Sequence, residues 1–302
     1  MLSHHKNKNT GEIPTESGLK EYLKANYSLA TAKAYQREIE IYLQANPKAS
    51  QSNYKDVMEC IGTLRKRYGT APGIHRIVSS IKVYYKYLNH IGQRKDNPAR
   101  SIQLRDKKTK ALQIQDLFTA PELELLLERK ERYHVLQIRN QVVISLLIYQ
   151  GLTTGDIASL TIQNINLEEG TIKIKATPKT NARELKLKTK QIMLLHKYMS
   201  EIRKNILSTA ATDKLIITKL GTAESGEGIN YLVSTYKKLF ADRNLNPKTI
   251  RMSVITNLLK EGKDLRLVQA FAGHKYPSAT ERYKQSGIEE LKQVIQKLHP
   301  LK

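Results

Sequence analysis

The sequence predicts a mainly α protein of the α+β class: an N-terminal four-helix domain, then a helix-rich domain enclosing a small antiparallel sheet. Three observations carry this. The 302 residues exceed the usual size of one domain, so two are expected. Apolar residues recur at helical spacing through most of the chain. Alternation of the strand kind is confined to residues 161–187, with one further short apolar run at Leu215–Thr218.

Residues 1–14 are polar and lack the apolar stretch of a secretory leader. Four helices are expected over residues 15–92. The first covers about Glu16–Ala25. The second follows Ser28, a good N-cap, and carries Leu29, Ala32, Tyr35, Ile39 and Tyr42 on one face. The third spans about Asn53–Tyr68. The fourth opens near Pro72 and runs to Ile91 with Ile74, Ile77, Ile81, Tyr84, Tyr85 and Leu88 at helical spacing. After Pro98 the chain turns basic and loses its periodicity, so residues 99–118 read as an interdomain linker, between a first domain at 15–98 and a second at 119–302.

In the second half, Pro121 opens a helix through about Lys130. His134–Gln150 makes another, apolar enough to be buried. Two strands follow, Thr171–Lys175 and Glu184–Leu187, joined by Ala176-Thr-Pro-Lys-Thr-Asn-Ala-Arg183 with Lys179 at the tip of the turn. Helices are expected at about 189–208. The short strand Leu215–Thr218 precedes a loop, Lys219–Gly228, and helices follow at about 229–240, 248–261, 264–272, 278–284 and 287–298.

Charge is the first functional clue. Lys and Arg number 51 against 28 Asp and Glu, a formal net charge of +23, which is a long-range field that attracts polyanions. A basic housekeeping protein of the ribosomal kind would share it. A membrane-surface protein would gather the charge on one amphipathic helix with Trp or Phe. Here it is spread along a chain with no Trp and three Phe, and no apolar run is long enough to span a bilayer. Nucleic acid is the expected partner. Cys60 stands alone, which excludes a disulfide framework and a cysteine metal site and suits a reducing cytosol.

The chemistry gathers near the C-terminus. Asn246-Pro-Lys-Thr-Ile-Arg-Met-Ser253 is followed by Ala272-Gly-His274 and by Ser278-Ala-Thr-Glu-Arg-Tyr283. This set resembles the tyrosine recombinase (phage integrase) family. Pro247, Lys248, Ile250, Arg251 and Met252 match its Pro-His-x-Leu-Arg-His element. Ala272-Gly273-His274 matches its Leu-Gly-His, and Thr280 to Tyr283 its Thr-x-x-Tyr nucleophile. Gly151-Leu152 with Asp156-Ile157 and Leu160 matches its Gly-Leu-Arg-x-x-Glu-Leu-x-x-Leu box, and Lys179 falls at its hairpin lysine. Ala30-Thr-Ala-Lys-Ala-Tyr35 and Ile81–Leu88 leading to Asn97-Pro98 resemble its core-binding domain, so the likeness covers roughly residues 15–298.

The resemblance implies a core-binding domain at 15–98, a catalytic domain at 119–302 and cleavage of DNA through a 3′-phosphotyrosyl intermediate. Its partner is a double-stranded recombination site with inverted repeats, bound by a synapsed homo-tetramer without membrane contact, in the cytoplasm at the nucleoid. Integration, excision, inversion and transposition of a mobile element all fit. The last helix, about 287–298, is a candidate for docking into a neighbouring protomer through Leu291, Val294, Ile295 and Leu298, with packing in cis as the alternative. No additional arm-binding domain is expected before residue 15.

Physical chemistry gives each residue a task. A tyrosine hydroxyl, with an ordinary pKa of about 10, must lose its proton as it attacks phosphorus, and the covalent link conserves the phosphodiester energy. Charge then grows on the non-bridging oxygens. Arg251, His274 and Lys248 are the expected donors there, Tyr283 the nucleophile, and Lys179 the acid that protonates the leaving 5′ oxygen. Cations in these roles need no metal, and no cofactor is expected; the sequence carries no HExxH motif or glycine-rich phosphate loop.

Two positions depart from the family. Lys248 stands where a histidine is usual, a change that keeps a donor. Thr153 stands where the first arginine is usual, a change that removes a planar bidentate clamp. Arg183, Lys173 and Lys175 are the cations that could replace it, and the sequence does not rank them. Two alternatives to a recombinase stay open: an inactive relative that binds DNA as an architectural or regulatory protein, and a relaxase or type IB-like topoisomerase without a defined site.

Overall fold

The computed structural model describes residues 16–68, 71–104, 117–207, 212–240 and 242–283. The chain divides into two compact units, residues 1–110 and 111–302. The polar head and the helix expected at 287–298 lie outside the described residues.

The first unit holds α1 (Glu16–Asn26), α2 (Leu29–Ala45), α3 (Tyr54–Tyr68) and α4 (Ala71–His90). The Ser28 side chain accepts from the Thr31 N–H, and Asn53 accepts from the N–H groups of Lys55 and Asp56, so both helix starts are capped by local polar groups. Ile39, Ile77, Ile81 and Leu88 are fully buried where the helices meet. A polar thread crosses this core. Asn46 donates to the Tyr42 hydroxyl at 3.2 Å, the Tyr42 and Tyr85 hydroxyls lie 2.6 Å apart, and Tyr85 donates to the Ala49 carbonyl at 2.8 Å. Each buried hydroxyl therefore has a partner. Ala99 and Ile102 are buried in this same core, and Lys82 donates to the Ile102 carbonyl at 2.7 Å. The stretch after Pro98 thus begins as packed structure, whereas Phe118 at its far end is buried in the second unit's core.

The second unit is built around α6 (His134–Gln150), whose Val142, Val143, Ile144, Leu146 and Leu147 are fully buried. Helix α5 (Ala120–Glu124) starts in a capping box between Thr119 and Glu122. It is shorter than expected, because the chain tightens into a 3₁₀ turn at Leu125–Leu127. That turn aligns Leu126 with Leu123 toward the core. After α7 (Thr154–Ser159) comes a three-stranded antiparallel sheet in the order β1 (Ile165–Asn166), β2 (Thr171–Ile174), β3 (Arg183–Lys186). The two-residue β1 was not expected; it is too short to show alternation.

Helix α8 (Thr189–Lys197) widens through a π-helical turn, Tyr198–Ile202, into α9 (Arg203–Ile206). The wide turn lets Tyr198 donate to the Leu215 carbonyl while Arg203 donates to the carbonyls of Lys214 and Thr212. The strand expected at Leu215–Thr218 forms only isolated bridges, Thr161 with Lys214 and Ile217 with Ala223. Single backbone bonds, from the Leu215 N–H to the Leu160 carbonyl and from the Thr218 N–H to the Thr222 carbonyl, hold this segment together with those side chains instead of a ladder. Helix α10 (Gly226–Ser234) starts earlier than expected, capped by Ser225, and stops earlier too. The Ser234 and Thr235 hydroxyls donate to carbonyls one turn back, which competes with helix continuation. Helices α11 (Pro247–Lys260) and α12 (Leu265–Ala272) and the helical residues 278–283 complete the described chain.

Candidate active site

Four segments converge in the second unit: the end of α6, the turn between β2 and β3, one face of α11, and the chain from α12 to residue 283. Asn246 and Pro247 set the start of α11 through a capping box with Thr249. Lys248 and Arg251 then lie three residues apart, so they share a helix face. Lys248 is exposed, whereas Arg251 is largely withdrawn from solvent.

Arg251 is held on both sides. Its Nη1 donates to the Gly151 carbonyl at the end of α6, and its Nη2 donates to the Ala272 carbonyl at 2.6 Å. The same Nη2 lies 3.3 Å from His274 Nε2. A guanidinium has no acceptor, so Nε2 must accept, and the proton of a neutral imidazole sits on Nδ1. Nδ1 in turn lies 2.8 Å from the hydroxyl of Thr280, which is fully buried. Burial, then the charges of Arg251, Arg183 and Arg282, push the His274 pKa down to about 4, which agrees with the neutral tautomer.

Tyr283 stacks on His274, with ring centroids 6.1 Å apart and planes 7° from parallel. It packs against a small cluster of Ile255, Val268 and Ala272. Burial raises its pKa, and the charges of Arg251 and Arg282 oppose that rise. Arg251 itself is lowered from its ordinary value, first by burial and then by the neighbouring Arg183 charge. The pocket is therefore rich in positive charge.

The β2–β3 turn docks on this site through its backbone. Thr180 bridges to His274, and the Asn181 N–H donates to the Gly273 carbonyl at 2.9 Å. Lys179, one residue before the bridge, is exposed at the rim.

Thr153 is the N-cap of α7. Its hydroxyl accepts from the Asp156 N–H at 3.0 Å, and its own N–H donates to Asp156 Oδ2 at 3.1 Å. Capping is a complete account of this residue. The same Oδ2 accepts from Arg183 Nη2 at 3.0 Å, and the two side chains are 4% and 3% exposed. Sequence motifs name Asp156 and Arg183 separately, and their pairing appears only in the structure. The signal lies in strand register: Arg183 pairs with buried Ile174, whereas Lys173 pairs with Glu184 on the solvent face.

Comparison with known proteins places the chain in a family. The Phage integrase family model matches residues 116–290. The chain is 26% identical over 297 residues to a protein named tyrosine recombinase XerD from Staphylococcus haemolyticus, covering 94% of this chain and 99% of that one. It is 27% identical over 290 residues to tyrosine recombinase XerC from Anoxybacillus flavithermus, covering 93% and 95%. Among solved structures, XerH recombinase bound to a palindromic difH substrate superposes with a TM-score of 0.71 at 19% identity, covering 93% of this chain and 84% of that one. The Tn1549 transposon integrase with a circular intermediate DNA gives 0.67 at 16% identity, covering 93% and 100%. The family match spans more than half of the sequence and includes all four converging segments: the chain belongs to the phage integrase, or tyrosine recombinase, family.

Proposed function

We propose that this chain is a site-specific DNA strand transferase in which Tyr283 is the nucleophile. One observation carries the reading: Arg251, His274 and Tyr283, drawn from three separate segments, meet in a pocket rich in positive charge. The Tyr283 oxygen attacks the scissile phosphorus, a P–O bond to Tyr283 forms, and the P–O5′ bond breaks. The tyrosine proton passes to solvent water, and the departing 5′ oxygen takes a proton from Lys179, giving a 3′-phosphotyrosyl link and a free 5′-hydroxyl. Arg251 and Lys248 donate to the non-bridging oxygens as their charge grows, whereas His274, expected as a third donor, holds its proton on Nδ1 toward Thr280 and braces Arg251 through Nε2. The 5′-hydroxyl of a partner strand then attacks the link and restores the phosphodiester.

Strand exchange of this kind takes place in a tetramer on two paired sites with inverted repeats, in integration, excision, inversion or transposition of a mobile element. The net charge of +23 supports duplex DNA as the partner. The two-domain organisation, 15–98 for core binding and 119–302 for catalysis, suits separate contacts of each domain with the duplex. The use of Thr153 as a helix cap favours an inactive DNA-binding relative as the second reading.

A nicked suicide duplex cut from the DNA that flanks the gene separates them. Wild type is expected to form a protease-sensitive covalent adduct. Tyr283→Phe is expected to bind the same duplex equally and form none. An adduct with the Phe variant would remove Tyr283 from the role, and none with wild type would favour the inactive relative.

A further inference from the structure

We infer that Arg183, arriving from the β2–β3 hairpin, contacts the scissile phosphate in the place that Thr153 leaves without a guanidinium. This rests on the strand-transfer reading above and deepens it. The chain needs such a cation, because a threonine hydroxyl gives one neutral hydrogen bond where an arginine gives two charge-assisted ones. Three candidates stand on the hairpin, and the structure separates them. Lys173 points to the solvent face and pairs with Glu184 at 3.6 Å, with 62% of its side chain exposed. Lys175 is exposed beyond the end of β2. Arg183 alone of the three turns inward, on the face of Ile174.

Its guanidinium is held as a rigid donor. Nη2 is fixed by Asp156, while Nε and Nη1 are buried with no hydrogen-bond partner among the described residues. Buried arginine donors without an acceptor are costly in a folded protein and uncommon. Here they stand beside the residues assigned to the phosphate. A methyl group added at Gly273 would come 2.6 Å from Nη1, so the guanidinium lies flat against the residue that precedes His274. Arg183 is also close enough to act on the charges of both Arg251 and His274. Asp156 offsets one of the positive charges that Arg183, Arg251 and Arg282 bring together around His274. Both unpartnered donors are closed to solvent in the free chain, so a phosphodiester oxygen reaches them as the hairpin shifts on DNA binding, and there it satisfies them.

Single-turnover cleavage of the suicide duplex tests this for wild type, Arg183→Ala and Arg183→Lys. A matched duplex carries a methylphosphonate at the scissile position, where one charged oxygen is replaced by methyl. On the ordinary duplex Arg183→Ala is expected to slow adduct formation by about 10²–10³-fold, the usual loss for one oxyanion donor. On the methylphosphonate the gap between wild type and Arg183→Ala should shrink to less than about tenfold, since little charge remains to be stabilised. Arg183→Lys keeps the pair with Asp156 and serves if the alanine variant fails to fold; it is expected to be slower than wild type on the phosphodiester and close to it on the methylphosphonate. Equal losses on both duplexes would make Arg183 a structural brace and overturn the inference, as would unchanged cleavage in both variants. If wild type forms no adduct at all, the strand-transfer reading fails instead.

Discussion

Replacing Gly273 by alanine should separate backbone strain from damage to the site. Gly273 closes α12 at φ +70°, in the left-handed region that costs an L-residue roughly 1–2 kcal/mol. Its new methyl would stand 2.6 Å from Arg183 Nη1 and 3.1 Å from Cδ and Cζ. Relief requires the guanidinium to retreat by roughly 1 Å, a shift that costs about 10²-fold in rate when a reacting geometry depends on it. Retreat is resisted by the 3.0 Å bond to Asp156, so the movement cannot be confined to a free side-chain end. Gly262 supplies the control. It has φ +78° with nothing within 4 Å of an added methyl, so Gly262→Ala carries the strain without the clash. Thermal unfolding and suicide-duplex cleavage are measured for both. The two variants should lose similar stability, about 2–8 °C in Tm for a unit of this size, and only Gly273→Ala should lose cleavage. Full cleavage by Gly273→Ala, or equal loss in both, would refute the placement of Arg183.

Thr153→Arg should lower stability by about 1 kcal/mol through the lost cap and should not accelerate cleavage, because Arg183 already supplies a guanidinium; a gain above about tenfold would count against that. His274 should make the fold less stable in mild acid. Its pKa is depressed to about 4 in the folded chain, so between the ordinary value and pH 4 the unfolded chain binds a proton that the folded one does not, and stability falls as pH drops through that window. Urea midpoints at pH 7 and 5 should show a loss on the order of 1 kcal/mol in wild type, after allowance for solvent screening, that His274→Gln lacks; parallel curves would contradict it. DNA affinity should fall steeply with salt, with a log–log slope of roughly −5 to −9 for six to ten phosphate contacts, and a slope near zero would point to a different partner. Tyr283→Phe, as above, should bind without forming an adduct.

The helices were legible in the sequence wherever local chemistry fixed them. Ser28 before α2, Asn246 and Pro247 before α11, and the unbroken apolar run of α6 each specify an element by capping or burial within a dozen residues. The motif order likewise groups Arg251, His274 and Tyr283, and the structure brings the three together. Boundaries went astray where a distant partner decided them. The 3₁₀ turn after α5 and the π turn at Tyr198 answer to core and carbonyl contacts far along the chain. The strand expected at Leu215–Thr218 is held by single backbone bonds and by side chains of other segments rather than by a ladder.

The assignment at Thr153 was beyond the sequence for the same reason. The family resemblance implies a missing guanidinium at Thr153, and the sequence offers three cations on one hairpin. Tertiary structure separates them by exposure: strand register turns Lys173 to solvent and Arg183 inward, and Asp156, 27 residues away, fixes the inward one. Local capping and periodicity are written in neighbouring residues; which buried donor faces which charge depends on contacts that exist only once the chain has closed on itself.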